Sequence, residues 1–580
     1  MTEEIIEGFS PCAKAPIAGI TLTEPSHYLD AGNCEAMLNI GLFFDGTNNN
    51  IKTDKPKLGH SNVARLADAY LEDKPNGWYR QYIPGVGTPF PEIGEMGTST
   101  LGSAFAFGCE ARVLYGLLAV FNALHQRSFE DQLLFDPAQI KALCRNNRLA
   151  FPEDEAPLLA LGLGVGLRIP DTDQDGLRVP DINRDGQRED FLKRQATELE
   201  RKLVDGRPYI KECFIDIFGF SRGAAEARVF CHWLDRLLSG GKLAGVPTRL
   251  RFVGLMDTVA SAGFLEGVVG SITNTTGGHI GWAEATFLRL PASVENCVHM
   301  VSMHELRKNF PLDEIGVDGE LPPNCQQCAY PGTHSDVGGG YLPEELGISV
   351  GATAMESDAL KLAQIPLNHM LECAVAAGVP IDKTLAVADT GHDPFAIAPA
   401  LQQAYDDFVQ ISGIGRRPLR DWLQPYLNWR WQMRKNYTSL GHVVKANGGD
   451  KTLLIEANAR FVRDAGTMRF RGDLDKSKDF LSLFKGRRGP ELTDARYRQE
   501  ELSALDPEAL ALLDLAQNAP PTPEALARFF DGFVHDSLAG FAKDLVERTG
   551  HWRYRKGFRG SNRALFSQRE SAGADSEVRV

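Results

Sequence analysis

The chain has 580 residues, 43% of them hydrophobic and 24% charged, with a net charge of −14. That length exceeds one ordinary core and suits a large domain with an accessory region, or two or three domains. The acidic balance argues against a general nucleic-acid binder, although a local basic face is hidden in the sum: seven Lys or Arg and no Asp or Glu lie between Arg548 and Arg569.

The N-terminal segment, residues 1–36, begins MTEEIIEGFSPC, acidic where an export leader would be basic, and no apolar stretch approaches the ~20 residues of a membrane span. The expectation is a soluble chain made in the cytoplasm without a signal peptide. From 37 to 345 short apolar runs alternate with helical patterns, which predicts an α/β fold with a mostly parallel sheet flanked by helices. The expected strands are MLNIGLFF (37–44), CFIDIF (213–218), LRFVGLM (250–256), CVHMVSM (297–303) and QCAY (327–330). Four of these five run straight into polar or glycine-rich residues, where open α/β sheets place their sites.

Between 104 and 124, AFAFGCEARVLYGLLAVFNAL is apolar all round and reads as a buried crossover helix, with a lid as the alternative. Within an insertion at 126–208, PDTDQDGLRV and PDINRDGQRE repeat with a ten-residue period. The period aligns Asp171, Asp173 and Asp175 with Asp181, Asn183 and Asp185, each set closed by a glycine, as in loops that wrap oxygen ligands around calcium. The bidentate Glu of such loops is missing, since Ile182 and Leu192 occupy its position. A solvated surface loop is the alternative. Cys325 and Cys328 have no second pair to complete a zinc site; Cys213, Cys231 and Cys373 sit in apolar runs and read as core thiols.

The stretch IDIFGFSRGAAEARVF, 215–230, joins an apolar strand to Gly-x-Ser-x-Gly and then to a helix whose Ala227, Phe230, Trp233, Leu234, Leu237 and Leu238 keep helical spacing. A serine hydroxyl needs a base and oxyanion donors before it attacks. The nucleophile elbow supplies them by carrying Ser on a strained turn with small flanking residues. Ser221 is therefore the candidate nucleophile. Asp257, directly after an apolar strand, is the candidate acid and His334, in a glycine-rich loop, the candidate base, in the order Ser, acid, His. Asp336 is a second candidate acid, ranked lower because it lies only two residues from His334. His299 reads as a satisfied core residue, His304 as a local hydrogen-bonder, and His535 as the C-terminal rival. The oxyanion donors are expected from the backbone N–H of Arg222 and from Gly46 and Thr47, with Asp45 ordering that turn. No cofactor is required; a structural calcium is the one candidate ion.

Six motifs in order, FFDGTNNN, YIPGVGT, GFSRGAAEAR, GLMDTV, HELRKNF and YPGTHSDVGGGY, resemble the α/β-hydrolase domain of the first family of type VI secretion lipase effectors. The resemblance covers about residues 37–345. It implies antibacterial phospholipase A activity with Ser221, Asp257 and His334 as the triad. It also implies carriage by a secretion spike or tube component, delivery into a neighbouring cell's periplasm, a phospholipid membrane as substrate, and a cognate immunity protein in sister cells. The aspartate-rich repeat and the accessory region, 346–580, match none of those motifs.

The accessory region reads as mainly helical. Its segment DWLQPYLNWRWQMRKNY (421–437) interleaves Trp422, Tyr426, Trp429 and Trp431 with cations, and the basic tail adds Trp552, Tyr554 and Phe558, which suggests membrane docking, with ordinary packing as the alternative. Beside the lipase reading stand a serine esterase or acyltransferase on a non-membrane ester, and a binding protein on a hydrolase fold without its chemistry.

Overall fold

The computed structural model describes residues 9–25, 35–97, 102–130, 132–145, 152–163, 185–260, 286–307, 310–316, 320–469, 507–540, 552, 555 and 557–559. Most of the aspartate-rich repeat lies outside these residues; only its last part, 185–189, is described, where Asp185 opens a helix.

The strands are β1 (Glu35–Phe44), β2 (Trp78–Ile83), β3 (Tyr209–Phe220), β4 (Lys242–Leu243), β5 (Val246–Met256), β6 (Cys297–Ser302), β7 (Leu312–Glu314), β8 (Cys325–Tyr330) and β9 (Gly557–Arg559). One sheet runs β2-β1-β3-β5-β6-β8 with every neighbour parallel, and β4 turns back antiparallel on β5. All five expected strands are present. The expectations missed β2, WYRQYI, because in this edge strand only Tyr79 and Ile83 are buried and Arg80 and Gln81 leave no continuous apolar run. A separate two-stranded ribbon pairs β7 with β9, so the chain's far end returns to the sheet domain.

The helices that place the site are α1 (Asn62–Ala69), α2 (Gly102–Ser128), α3 (Asp185–Leu203), α4 (Arg222–Leu237), α5 (His334–Gly338) and α6 (Gln364–Ala376). Beyond them come α7 (Pro399–Ser412), α8 (Leu419–Met433), α9 (Gly448–Arg469), α10 (Pro507–Asn518) and α11 (Glu524–Phe533).

Alternation along the strands sorts their side chains onto two faces. Leu42, Phe44, Ile217 and Val253 enter one core with Leu117 and Phe121 of α2 and Phe230 and Leu234 of α4. Phe43, Phe218, Phe252 and Met300 enter the other with α1 and α6. The apolar helix expected at 104–124 is α2, whose Leu117, Val120, Phe121 and Leu124 are fully buried against the sheet side. Cys325 and Cys328, three apart on β8, fall into opposite cores; Cys213, Cys231 and Cys373 are fully buried thiols.

The second core does not stop at 346. It continues from Phe218 and Met300 through Met370, Phe408, Trp422, Trp429 and Phe530 to Trp552. Interfacial docking by Trp422, Tyr426, Trp429 and Trp552 is corrected here, while Tyr554 and the side chain of Phe558 lie outside the described residues. Trp422, Tyr426 and Trp429 are at most 3% exposed on α8. Trp552 is fully buried, stacked on Phe461 at 4.5 Å, with its Nε1–H donating to the Phe461 carbonyl. Spacing by three and four on a helix brings those aromatics to one face, and that face is turned inward. Among the described residues no helix is long and apolar enough to cross a membrane.

Candidate active site

β3 delivers Ser221 at φ 58°, ψ −122°, a left-handed conformation that a side-chain-bearing residue adopts only under constraint. The constraint comes from both sides: the Ser221 N–H donates to Met256 O at 3.0 Å, and Val259 N–H donates to Ser221 O at 3.2 Å. α4 starts at once and packs closely. A Cβ on Gly223 would lie 2.2 Å from Phe44 O, and one on Gly219 would lie 2.5 Å from Gly223 O. Glycine is needed at both positions because backbone meets backbone there.

Asp257 directly follows β5, also at positive φ (48°), with its N–H donating to Met300 O at 2.7 Å. It is fully buried. Its Oδ1 accepts from Ser302 N–H at 2.8 Å and from Arg555 Nη1; its Oδ2 accepts from Ser302 Oγ at 3.0 Å and from His334 Nδ1 at 2.5 Å. Burial alone would raise this carboxyl, but Arg555 and the His334 hydrogen bond hold it well below the usual carboxylate range. Asp257 is therefore an anion and Nδ1 of His334 carries the proton between them, which leaves Nε2 as the basic nitrogen.

His334 opens the short helix α5 after β8. Its ring lies 4.7 Å from Phe220, the residue before Ser221, and 4.9 Å from Phe310, centroid to centroid. The two candidate residues thus share the C-terminal edge of the sheet. Burial lowers the His334 pKa; Asp257 pulls it up, and Arg307 and Arg555 push it further down. Glu305 accepts the His334 backbone N–H at 3.2 Å and pairs with Arg307 at 2.9 Å. Arg307 in turn covers Phe310 at 3.7 Å.

Asp336 serves a different histidine. It completes a capping box with Thr333 and accepts from His535 Nδ1 at 2.6 Å and His535 N–H at 3.1 Å. His535, the expected rival base, stacks on Tyr341 at 3.7 Å. His299 is satisfied on both ring nitrogens by Thr258 and Gln327, and burial pushes its pKa down to about 4. His304 accepts the Gly332 N–H at 2.9 Å, a bond to the loop after β8 and not the local one expected.

The loop after β1 is ordered by Asp45, which accepts from Ser61 Oγ, Tyr82 OH and the Gly46 N–H at 2.7 Å. Burial lifts its pKa to about 6. The Gly46 amide is therefore occupied, which corrects its assignment as an oxyanion donor. The Thr47 N–H makes no hydrogen bond among the described residues. Arg222 Nη1 donates to Thr47 Oγ1 at 3.0 Å and so links this loop to the elbow. Among the described residues no cluster of three His, Cys, Asp or Glu is placed to hold a metal ion.

The parallel sheet, its flanking helices and the serine turn after β3 define an α/β-hydrolase type of fold. Residues 39–244 and 239–373 match the family described as type VI secretion system phospholipase effector Tle1-like, catalytic domain. The chain belongs to that family. A crystal structure of an uncharacterized protein from Pseudomonas aeruginosa is similar at 26% identity and TM-score 0.57, over 98% of this chain and 72% of that one. The structure of the Tle1 effector bound to the VgrG spike from the type 6 secretion system is a looser likeness. It has 18% identity and TM-score 0.32, over 66% of this chain and 87% of that one. No curated protein matches the chain.

Proposed function

We propose that the chain is a phospholipase A that cleaves an acyl ester of glycerophospholipids, with Ser221 as nucleophile, His334 as base and Asp257 as acid. The observation that carries this reading is the His334 Nδ1–Asp257 Oδ2 bond at 2.5 Å, beside a serine held at φ 58°. In the reaction His334 Nε2 takes the Ser221 proton as Oγ attacks the ester carbonyl. The N–H groups of Arg222 and Thr47 stabilise the oxyanion. Collapse passes the proton to the departing lysophospholipid oxygen, and water, activated by the same imidazole, releases the fatty acid.

Family membership supports delivery by type VI secretion, with a target cell's periplasm as the place of action and a cognate immunity protein protecting sister cells. It also supports a spike or tube component as carrier. Co-purification with the spike of the same secretion system tests that partner.

The test of activity is fatty-acid release from phospholipid vesicles and from a short soluble ester, by wild type and Ser221→Ala. Vesicle turnover lost in the variant supports the reading, and the mass of the lysolipid fixes which ester is cut. Turnover of the soluble ester alone would indicate a serine esterase. Equal turnover by both proteins would remove the triad, and the absence of covalent labelling by a fluorophosphonate would leave a binding protein on a hydrolase fold.

A further inference from the structure

We propose that Arg555, almost three hundred residues downstream of Asp257, is a positioning residue for the catalytic pair, supplied by the C-terminal segment. The inference rests on the triad reading above.

Arg555 is 4% exposed, and its contacts converge on the acid. Nη1 donates to Asp257 Oδ1 and to Ser302 Oγ at 2.9 Å, and Nε donates to Phe310 O at 2.9 Å. Because Ser302 Oγ accepts from Arg555, its own hydrogen is directed to Asp257 Oδ2, which it meets at 3.0 Å. One guanidinium therefore fixes both carboxylate oxygens, one directly and one through Ser302. It also holds the carbonyl of Phe310, whose ring packs on His334.

The segment is anchored on both sides of Arg555. Trp552, three residues before, is locked in the core against Phe461. β9, two residues after, pairs with β7 in register from Leu312 with Gly557 to Glu314 with Arg559. β7 is itself tied to the loop after the acid: Asp313 N–H donates to Thr258 O at 2.9 Å, and Asp313 Oδ2 accepts from Ala260 N–H at 2.7 Å. Few residues separate Arg555 from these anchors, and a reach of at most about 3.3–3.6 Å per residue limits how far it can move from Asp257. The C-terminal segment and the acid loop form one unit.

Stability alone does not account for this arginine. A buried ion pair seldom outweighs its desolvation, and Nη2 of Arg555 has no hydrogen bond among the described residues, an added penalty. Its value lies in the site. It sets the carboxylate that orients His334, and its charge adds to the forces keeping the imidazole neutral and able to accept a proton.

Among the described residues, the charged and titratable groups around His334 are Asp257 after β5, Glu305 and Arg307 after β6, Arg555 from the C-terminal segment, and Asp336 on α5, which is engaged by His535. Removing Arg555 subtracts a positive charge from this set, so the His334 pKa must rise. The acidic limb of kcat/KM, which reports the free base, must then move to higher pH.

The experiment measures kcat, KM and the pH profile on a short soluble ester and on phospholipid vesicles for wild type, Arg555→Gln, Arg555→Lys and Ser221→Ala, with a thermal melt for each. Arg555→Gln is expected to lower kcat on the order of 10²-fold with little change in KM, and to shift the acidic limb upward. Arg555→Lys keeps the charge but loses the planar fork, so its limb stays at the wild-type position while kcat recovers only in part. A folded Arg555→Gln with wild-type kcat, or with lowered kcat and an unmoved limb, overturns the inference. If Arg555→Gln does not fold, Arg555→Lys decides: lowered kcat with the limb in place supports the proposal, and wild-type kcat overturns it. An active Ser221→Ala would instead bring down the triad reading itself.

Discussion

Two buried histidine–aspartate pairs meet on the short helix α5, one through His334 and the other through Asp336, and the roles proposed for them differ. His334–Asp257 and His535–Asp336 have nearly the same Nδ1–Oδ distance, 2.5 and 2.6 Å, and all four residues are buried. The difference lies in what surrounds them. Asp257 sits at a strand end in a strained conformation, beside the serine turn, and draws donors from β6 and from the chain's last described segment. Asp336 draws its donors from its own capping box and from His535, whose face is covered by Tyr341. The first pair joins three sheet strands at the C-terminal edge, where the reaction is proposed to occur. The second staples the segment after α11 to the loop bearing His334. A histidine–carboxylate bond is thus no mark of catalysis by itself; its place on the sheet decides.

Breaking the two pairs should separate their roles. Asp257→Asn takes away the anion that fixes the His334 tautomer, and kcat on phospholipid vesicles should fall about 10⁴-fold with an unchanged fold by circular dichroism. His535→Ala leaves Asp336 buried without its imidazole and should cost about 3 kcal/mol in urea unfolding, with kcat within about tenfold of wild type. A collapse of kcat in His535→Ala at unchanged stability would merge the two roles.

The oxyanion loop gives a smaller effect. Arg222→Ala removes the 3.0 Å link to Thr47 and should lower kcat by about fivefold, the equivalent of one hydrogen bond of about 1 kcal/mol.

The smallest effect sharpens the comparison with an acid that serves no histidine. Glu226 on α4 is buried, and burial lifts its pKa to about 8. The folded state then holds a proton that the unfolded chain has lost above about pH 4.5. Its stabilisation is full below that pH and disappears as pH rises through 8. Glu226→Gln should therefore melt a few degrees higher than wild type, by a margin that widens from pH 5 to pH 8, with kcat unchanged.

Much of this site was legible because the chemistry of an elbow is written locally. Cys213–Phe218, Gly219, Ser221, Gly223 and the alanines sit side by side, and Asp257 and His334 each follow a recognisable apolar run. What escaped was non-local or depended on a competing bond. Arg555 is one cation in a basic run, and only the return of β9 to β7 brings it to Asp257. The engagement of Gly46 by Asp45 is a matter of side-chain direction. The α8 aromatics misled because a stripe of Trp and Tyr has the same spacing whether it faces lipid or core. β2 escaped because Arg80 and Gln81 interrupt its apolar character at the sheet edge.

The shared core of the sheet and the helices beyond α6 bears on how this protein can be dissected. A fragment cut at 373, where the family match ends, would keep every residue of the proposed triad yet strip Phe408, Tyr426 and Phe530 from the ring of His304 and Arg555 from Asp257. Such a piece would offer a broad greasy wall to its neighbours in solution and should precipitate rather than work as a miniature enzyme.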